Sequence, residues 1–204
     1  ILGPVLGALT DSSKIYSYLT AGFLIFALFE ITRRATDLVI GLALGVPAVA
    51  GGLFNAATRD TPSINAIPTI LGALFMGFLV WRILKDLVGD TRVSSEKIYG
   101  AVCAYLIVGF LFGNIYGFIA LVDPGAFALS EPLAADLSGS SSARLEGALN
   151  YFSFVTMSTL GYGDMTPVTP AARTVAWVQA VIGQLYLAVV IAAFVGAHIA
   201  NRKS

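Results

Sequence analysis

The sequence predicts an all-α membrane protein with six transmembrane helices, the first of them truncated, and a re-entrant segment between the fifth and the sixth. Three observations support this class. The 204-residue chain is 57% hydrophobic and only 12% charged, with a mean hydropathy of +0.82, whereas a soluble domain carries roughly 25% charged residues. Its apolar residues lie in blocks long enough to cross a bilayer. A polar, glycine-bearing stretch separates the last two blocks, as a re-entrant segment would.

Six apolar blocks define the predicted spans. They lie at about 1–10, 14–32, 36–57, 64–88, 97–122 and 170–199. The first block is shorter than the roughly 20 residues that a helix needs to cross a bilayer. Because the chain begins at Ile1 inside this apolar run, we expect the first span to be incomplete. No basic start and no cleavage-like site are present, so a signal peptide is not expected.

The chain divides by role at about residue 90, into four peripheral spans (1–90) and a second unit (91–204). The link between them, residues 89–97, is polar, and Ser94 or Ser95 is a candidate N-cap for the fifth span. A second polar stretch, 123–147, follows the fifth span, and its serine run at 138–142 is expected to be a flexible loop. Residues 146–157 then form a short helix candidate.

Residues 159–164 read Thr-Leu-Gly-Tyr-Gly-Asp. Gly161 and Gly163 can adopt dihedral angles that residues with a Cβ avoid, so successive carbonyls can point the same way. A row of such carbonyls can replace the hydration shell of a cation. With a short helix before it and an apolar helix after it, this segment resembles the selectivity filter of tetrameric potassium channels. Among these the chain is most similar to prokaryotic six-transmembrane channels without an arginine-rich fourth span.

The resemblance implies a role for each residue of the motif. Potassium ions would bind between stacked backbone carbonyls, with the Thr159 hydroxyl closing the innermost site. Leu160 replaces the commoner Val or Ile, and its side chain is expected to pack outward against the preceding helix. Tyr162 is expected to point away from the pore axis and brace the filter. The implied filter residues are Thr159, Leu160, Gly161, Tyr162 and Gly163, and the first four would supply the potassium ligands.

The side chains behind the filter depart from the commoner pattern of the family. Many relatives place Trp at the positions of Tyr151 and Phe152, where the first ring N–H holds the aspartate after the filter, and some place a carboxylate at the position of Val155. Tyr151 keeps a hydroxyl that could reach Asp164, but Phe152 and Val155 offer no polar group. These four residues are the predicted filter support, and slow filter inactivation cannot be inferred by analogy.

The last apolar block is expected to start at Thr169-Pro170, with a hydroxyl at the N-cap and a proline in the first turn. Gly183 stands where the resemblance places a flexible inner-helix glycine. It is either a gating hinge or a site of close helix packing, since glycine lowers helix stability and removes side-chain bulk. Gln184, Leu187 and Ile191 are predicted to line the pore cavity, because an amide in an apolar helix should face protein or water.

The charge distribution predicts orientation. With the filter outside, eight basic residues fall on the inner side: Arg33, Arg34, Arg82, Lys85, Arg92, Lys97, Arg202 and Lys203. Four fall outside: Lys14, Arg59, Arg144 and Arg173. Under the positive-inside rule, the filter mouth is extracellular and both ends of the pore unit are cytoplasmic, in a multi-pass protein of the cell membrane.

One filter segment per chain determines the expected assembly. A ring of carbonyls around an axial ion needs several copies, and the resemblance implies four, so we expect a homotetramer. The expected partners are the other subunits and the lipid bilayer. A zero net charge gives no indication of a nucleic-acid partner. No cofactor is expected beyond potassium ions in the filter, and a cytoplasmic regulatory domain or ligand is left open.

The peripheral spans resemble a voltage sensor in number but not in charge. Sensors carry Arg or Lys at every third position of the fourth span, whereas residues 64–81 contain none, and Arg82 is the first. We therefore expect no strong voltage dependence. Two other classes compete with a channel: a subunit of a potassium-uptake transporter, which usually carries four degenerate loops in one chain, and a non-conducting scaffold. Because no set of nucleophile, base or metal ligands is evident, an enzyme is not expected.

Overall fold

The computed structural model describes residues 39–48, 50, 66–88, 95–137 and 142–202. These residues form helices and two short strands. In chain order they are α1 (Val39–Ala48), α2 (Ala66–Val88), α3 (Ser95–Val122), β1 (Phe127–Leu129), α4 (Glu131–Leu137), α5 (Ser142–Met157), β2 (Met165–Pro167) and α6 (Pro170–Arg202). The helices α2, α3 and α6 match the fourth, fifth and sixth predicted spans to within three residues at each end.

Two of the described helices are long and apolar enough to cross a membrane. These stretches are Ile98–Val122 in α3 and Pro170–Gly196 in α6. The helix α1 is a shorter apolar helix inside the third predicted block. The first two predicted spans lie outside the described residues. The structure is thus consistent with a helical membrane protein. The two helices that are long and apolar enough to cross a membrane correspond to the fifth and sixth predicted spans.

The start of α6 follows the predicted capping pattern. The backbone N–H of Ala172 donates to the Thr169 hydroxyl at 3.4 Å, and Pro170 is the first helical residue. A proline at this position loses no helical hydrogen bond, since the first N–H groups of a helix have no partner inside it. The Arg173 guanidinium closes the same turn by donating to the Pro167 carbonyl at 3.2 Å.

Glycines on α3 let α5 lie directly against its backbone. A Cβ at Gly109 would overlap the Phe154 ring, and one at Gly113 would overlap the Asn150 side chain, while one at Gly117 would meet none of the described atoms within 4 Å. Small residues four apart allow such close approach between membrane helices. Gly109 and Gly113 therefore allow α5 to pack closely against the middle of α3.

The helices α5 and α6 run side by side in the same direction. Ser153 of α5 contacts Gln179 of α6, and one turn further along both helices Met157 contacts Gly183. A buried apolar cluster joins α3, α5, β2 and α6: Val108, Phe112, Tyr116, Leu149, Phe152, Met157, Met165 and Ala176. The three helices and the strand therefore share one core around α5.

The helix α2 packs on α3 through a second core cluster, formed by Phe75, Met76, Leu79 and Ile107. Leu44 of α1 packs against this cluster, and a Cβ at Gly45 would lie 3.0 Å from the Phe75 ring. Among the described residues, α2 therefore packs mainly on α3, and its Val80 also packs against the first cluster.

The segment between α3 and α5 is more ordered than the sequence predicts. Strand β1 pairs antiparallel with β2, with Phe127 opposite Pro167 and Leu129 opposite Met165. The helix α5 begins at residue 142, four residues earlier than predicted and inside the run expected to be flexible. Residues 143–146 (Ala-Arg-Leu-Glu) all favour helix, so the helix extends toward its N-terminus. Three-residue strands are too short to leave a readable alternation, which explains why they were missed.

Candidate functional site

The filter segment (residues 159–164) begins inside the C-terminal cap of α5. The N–H of Leu160 donates to the Val155 carbonyl at 3.0 Å, and the N–H of Thr159 donates to the Thr156 carbonyl at 3.1 Å. Together with a φ of 59° at Thr159, these bonds form a Schellman motif, in which the left-handed residue is usually glycine. The end of α5 therefore fixes the first carbonyls of the filter segment directly.

The backbone of the filter segment alternates in handedness. The φ angle is 59° at Thr159, 58° at Gly161 and 78° at Gly163, and among the described residues Thr159 is the only one other than glycine with a positive φ. In this alternation, each positive-φ residue turns the next peptide so that successive carbonyls can face one side. The sequence predicted this for the glycines but not for Thr159, because a β-branched residue disfavours positive φ.

The far end of the filter segment is held from two directions. The Tyr151 hydroxyl donates to Asp164 Oδ2 at 2.8 Å, which is the contact that the sequence left open. The N–H of Ser130, which follows β1, donates to the Asp164 carbonyl at 2.9 Å, and Asp164 Oδ1 accepts the N–H of Met165 at 3.1 Å. Asp164 thus links α5 to the paired strands, so backbone pairing adds a support that the predicted set did not contain.

The other two predicted support residues act differently from one another. Phe152 is buried in an aromatic cluster, with ring centroids 5.0 Å from Tyr116 and 5.5 Å from Phe127. Val155 is buried too, and its carbonyl rather than its side chain holds the Leu160 N–H. Phe152 therefore supports the packing of α5 on α3, while Val155 supports the filter segment through its backbone.

The side chains of the filter segment are largely exposed in a single chain. Leu160 is 54% exposed and Tyr162 is 67% exposed. Leu160 is therefore about half covered within one chain, and its expected packing against α5 stays a prediction. The Thr159 hydroxyl donates to the Ser158 carbonyl at 2.7 Å.

Gly183 packs closely in the structure. A Cβ there would lie 2.6 Å from the carbonyl oxygen and 2.7 Å from Cγ of Met157, the last residue of α5. The close-packing alternative is therefore what the structure shows, and α6 runs as one helix through this point. The hinge role stays a prediction. The predicted cavity residues Gln184, Leu187 and Ile191 follow one face of α6 and are exposed.

A comparison with protein families identifies this region. Residues 101–198 match the model of a family described as "Ion channel". This part of the chain is similar to that family. The match runs from α3 into α6 and contains the whole filter segment, and it confirms the predicted resemblance to the potassium channel superfamily. Neither a curated protein nor a solved structure matches the chain.

The structure contains a buried polar network that was not predicted from the sequence. Gln179 Nε2 donates to Ser153 Oγ at 2.7 Å and to the Ser153 carbonyl at 3.1 Å, while Gln179 Oε1 accepts the Tyr116 hydroxyl at 2.6 Å. Ser153 Oγ in turn donates to the Gly109 carbonyl at 2.6 Å. The available signal was an amide inside an apolar helix, the same signal that drew attention to Gln184 five residues later.

Replacing Tyr151 with phenylalanine is expected to loosen the outer end of the filter segment. A hydrogen bond to a charged group is worth about 1.5–3 kcal/mol, with the lower end applying at this half-exposed site. We expect Tyr151→Phe channels to lose current faster during sustained activation and to unfold at a lower temperature. Tyr99→Phe, which removes an exposed hydroxyl at the other end of the channel, is the control. Equal current decay in both variants would contradict the contact's role.

The hydrogen bond between Tyr151 and Asp164 should contribute to stability over a defined pH range. Donation to Asp164 is the main cause that raises the pKa of Tyr151 from 10.0 to about 12. Because the folded pKa lies above the ordinary value, the contribution of this group to stability is complete below pH 10 and is lost as the pH rises through 12. The contact should therefore persist at any pH used for recording up to about 9.

Proposed function

We propose that the protein is a potassium-selective channel that conducts ions passively through a homotetrameric pore. The observation that carries this proposal is the alternation of positive φ at Thr159, Gly161 and Gly163. Such a backbone can present the carbonyls of residues 159–162 to one side, where they replace the water around a dehydrated cation. Potassium is here the transported ion, not a resident cofactor.

We infer the homotetramer from the single row of filter carbonyls that one chain supplies. A single filter segment offers one row of carbonyls, and an ion on an axis needs such rows around it. The exposed side chains of Leu160 and Tyr162 gain packing partners when copies surround the axis. The C-terminal end of each α5 carries partial negative charge, so several such ends directed at the axis stabilise a cation there. Four copies are the number that the family resemblance implies.

The proposed orientation rests on charge placement. Arg144 and Arg173 lie at the end of the pore unit that carries the strands, near the filter segment. Arg82 and Lys85 lie at the opposite end, since Ile83 beside them contacts Gly100 near the start of α3. Lys85 also sits 5.1 Å from the centre of the Trp81 ring, a pairing suited to a membrane interface. The larger basic count then faces the cytoplasm and the filter faces outward.

We further propose that membrane voltage does not strongly gate the channel. One charge that crosses 100 mV contributes about 2.3 kcal/mol, so steep gating needs several charges in each subunit. The helix α2 carries no basic residue between positions 66 and 81, and its Arg82 is 8% exposed at one end of the helix. Few charges of α2 are therefore in a position to move through the field.

A reversal-potential measurement tests the proposed function. Purified channels in planar bilayers, with potassium on one side and sodium on the other, should reverse at a potential displaced by at least about 59 mV, which corresponds to a tenfold preference. A reversal close to zero would contradict potassium selectivity. The absence of unitary currents in symmetrical potassium would favour the transporter-subunit or scaffold alternatives. A steep change of open probability between about −100 and +100 mV would contradict the proposal on voltage.

A further inference from the structure

We infer that Gln179 is a positioning residue, whose amide holds α5, and with it the first filter carbonyls, in register against α6 and α3. This inference rests on the proposed function for its consequence in ion selection, and on the buried network alone for its structural part. Gln179 is 0% exposed, and between Val175 and Ala197 the only other polar side chains of its helix are those of Gln184 and Tyr186. An amide that is buried among apolar residues lowers the stability of the folded protein unless its hydrogen bonds are made.

The direction of the network is fixed by its acceptors. The Ser153 backbone carbonyl can only accept, so the group of Gln179 that faces it must be the amide nitrogen. The amide oxygen then faces Tyr116, whose hydroxyl must donate. Ser153 Oγ accepts from Gln179 and donates to the Gly109 carbonyl. Each hydroxyl and each end of the amide therefore has a partner, and reversing the amide would place two acceptors face to face.

The network joins α5 and α6, which precede and follow the filter segment in the chain, to α3. Gln179 belongs to α6, Ser153 to α5, and Tyr116 and Gly109 to α3. One turn beyond Ser153, Met157 packs against Gly183 of α6. Two contacts one turn apart prevent both sliding and rotation of α5 along α6.

The position of α5 determines the position of the filter segment, because less than one helical turn separates Ser153 from the residues that hold its first N–H groups. The carbonyls of Val155 and Thr156, which accept the N–H groups of Leu160 and Thr159, lie two and three residues after Ser153. A shift of α5 relative to its neighbours therefore moves the first two filter carbonyls by a similar amount. Carbonyl ligands that coordinate a dehydrated ion tolerate little displacement, as with any preorganised site.

Apolar side chains of similar size would fill the same space without fixing this register. Replacing all partners of a hydrogen bond by apolar groups is often nearly neutral for stability. The distinct contribution of the amide is its direction, because a hydrogen bond specifies both the distance and the facing atoms. Loss of the network should therefore alter ion selection more than it alters folding.

The test compares three variants of the full-length channel. Gln179→Met removes the amide. Tyr116→Phe/Ser153→Ala/Gln179→Met removes all three polar side chains of the network together, so none of the three is left buried without its partner, which protects against failure to fold. Tyr186→Phe is the matched control, because its hydroxyl also joins α6 to α3, by donating to the Ala101 carbonyl at 2.5 Å, but does not reach α5.

Two measurements give the outcome. We expect both network variants to lower the potassium-to-sodium permeability ratio about tenfold, the loss typical when an outer-shell partner of a metal site is removed. We also expect backbone amide exchange at residues 158–160 to quicken about fivefold, which corresponds to the net value of one hydrogen bond. Tyr186→Phe should leave both quantities unchanged.

The possible failures are separable. A wild-type channel that does not distinguish potassium from sodium would refute the proposed function, while amide exchange would still decide whether Gln179 positions α5. Network variants with wild-type exchange at residues 158–160 would overturn the inference. So would a Tyr186→Phe variant with an equal change, since the effect would then belong to general packing between α6 and α3.

Discussion

Alanine at position 183 is expected to abolish selective conduction. The added Cβ of Gly183→Ala would lie 2.6 Å from the Met157 carbonyl oxygen and 3.3 Å from its carbonyl carbon. These are backbone atoms, which cannot rotate away as the end of a side chain can. Either α6 or the end of α5 must move until the distance reaches an ordinary contact, and overpacking of this kind costs about 1–3 kcal/mol in each chain. Since Met157 lies two residues before Thr159, the filter segment moves with it.

The control and the competing explanation are both available on α6. A Cβ at Gly196 would meet no atom of the described residues within 4 Å, so Gly196→Ala should conduct normally and gain up to about 1 kcal/mol of helix stability. If Gly183 acts only as a hinge, Gly183→Ala channels should keep their potassium-to-sodium ratio and lose only open probability. Reversal potentials and single-channel open times from the two variants separate these outcomes, and an unchanged ratio would contradict the packing argument.

Local patterns in the sequence were sufficient for the helices of the pore unit and for the motif between them. The ends of α3 and α6 follow from apolar blocks and from the Thr169-Pro170 start, because hydropathy and capping act over a few residues. The glycine spacing at 161 and 163 predicted the positive φ values, since glycine adopts them at little cost. Each of these features is determined by the residues within a few positions of it along the chain.

What the sequence did not predict depends on contacts between distant residues. Thr159 adopts positive φ because the end of α5 holds its N–H and that of Leu160, which overrides the preference of a β-branched residue. The bond from Ser130 to Asp164 needs two strands that are 38 residues apart to pair. Gln179 meets Ser153 across 26 residues. No local pattern encodes such pairings, although an amide in an apolar helix could have marked Gln179 as a candidate.

Alanine in place of Gly161 is expected to eliminate potassium conduction through its effect on the backbone alone. Gly161 has a φ of 58°, and a Cβ there would meet no atom of the described chain within 4 Å. The constraint within one chain is therefore the dihedral angle and not the available space. An L-residue in this conformation costs about 1–2 kcal/mol, and in the proposed tetramer this cost would recur in each subunit. The carbonyl should rotate away from its row.

Chirality supplies a control that keeps the side chain constant. D-alanine favours the positive φ that L-alanine disfavours, so a semisynthetic channel in which D-alanine replaces Gly161 should keep its potassium currents while Gly161→Ala loses them. Unitary conductance and reversal potential of both proteins provide the measurement. If the two variants conduct alike, the alternating backbone is not what selects the ion. If only the D-alanine channel conducts, the filter requires the positive φ at position 161 and not the absence of a side chain there.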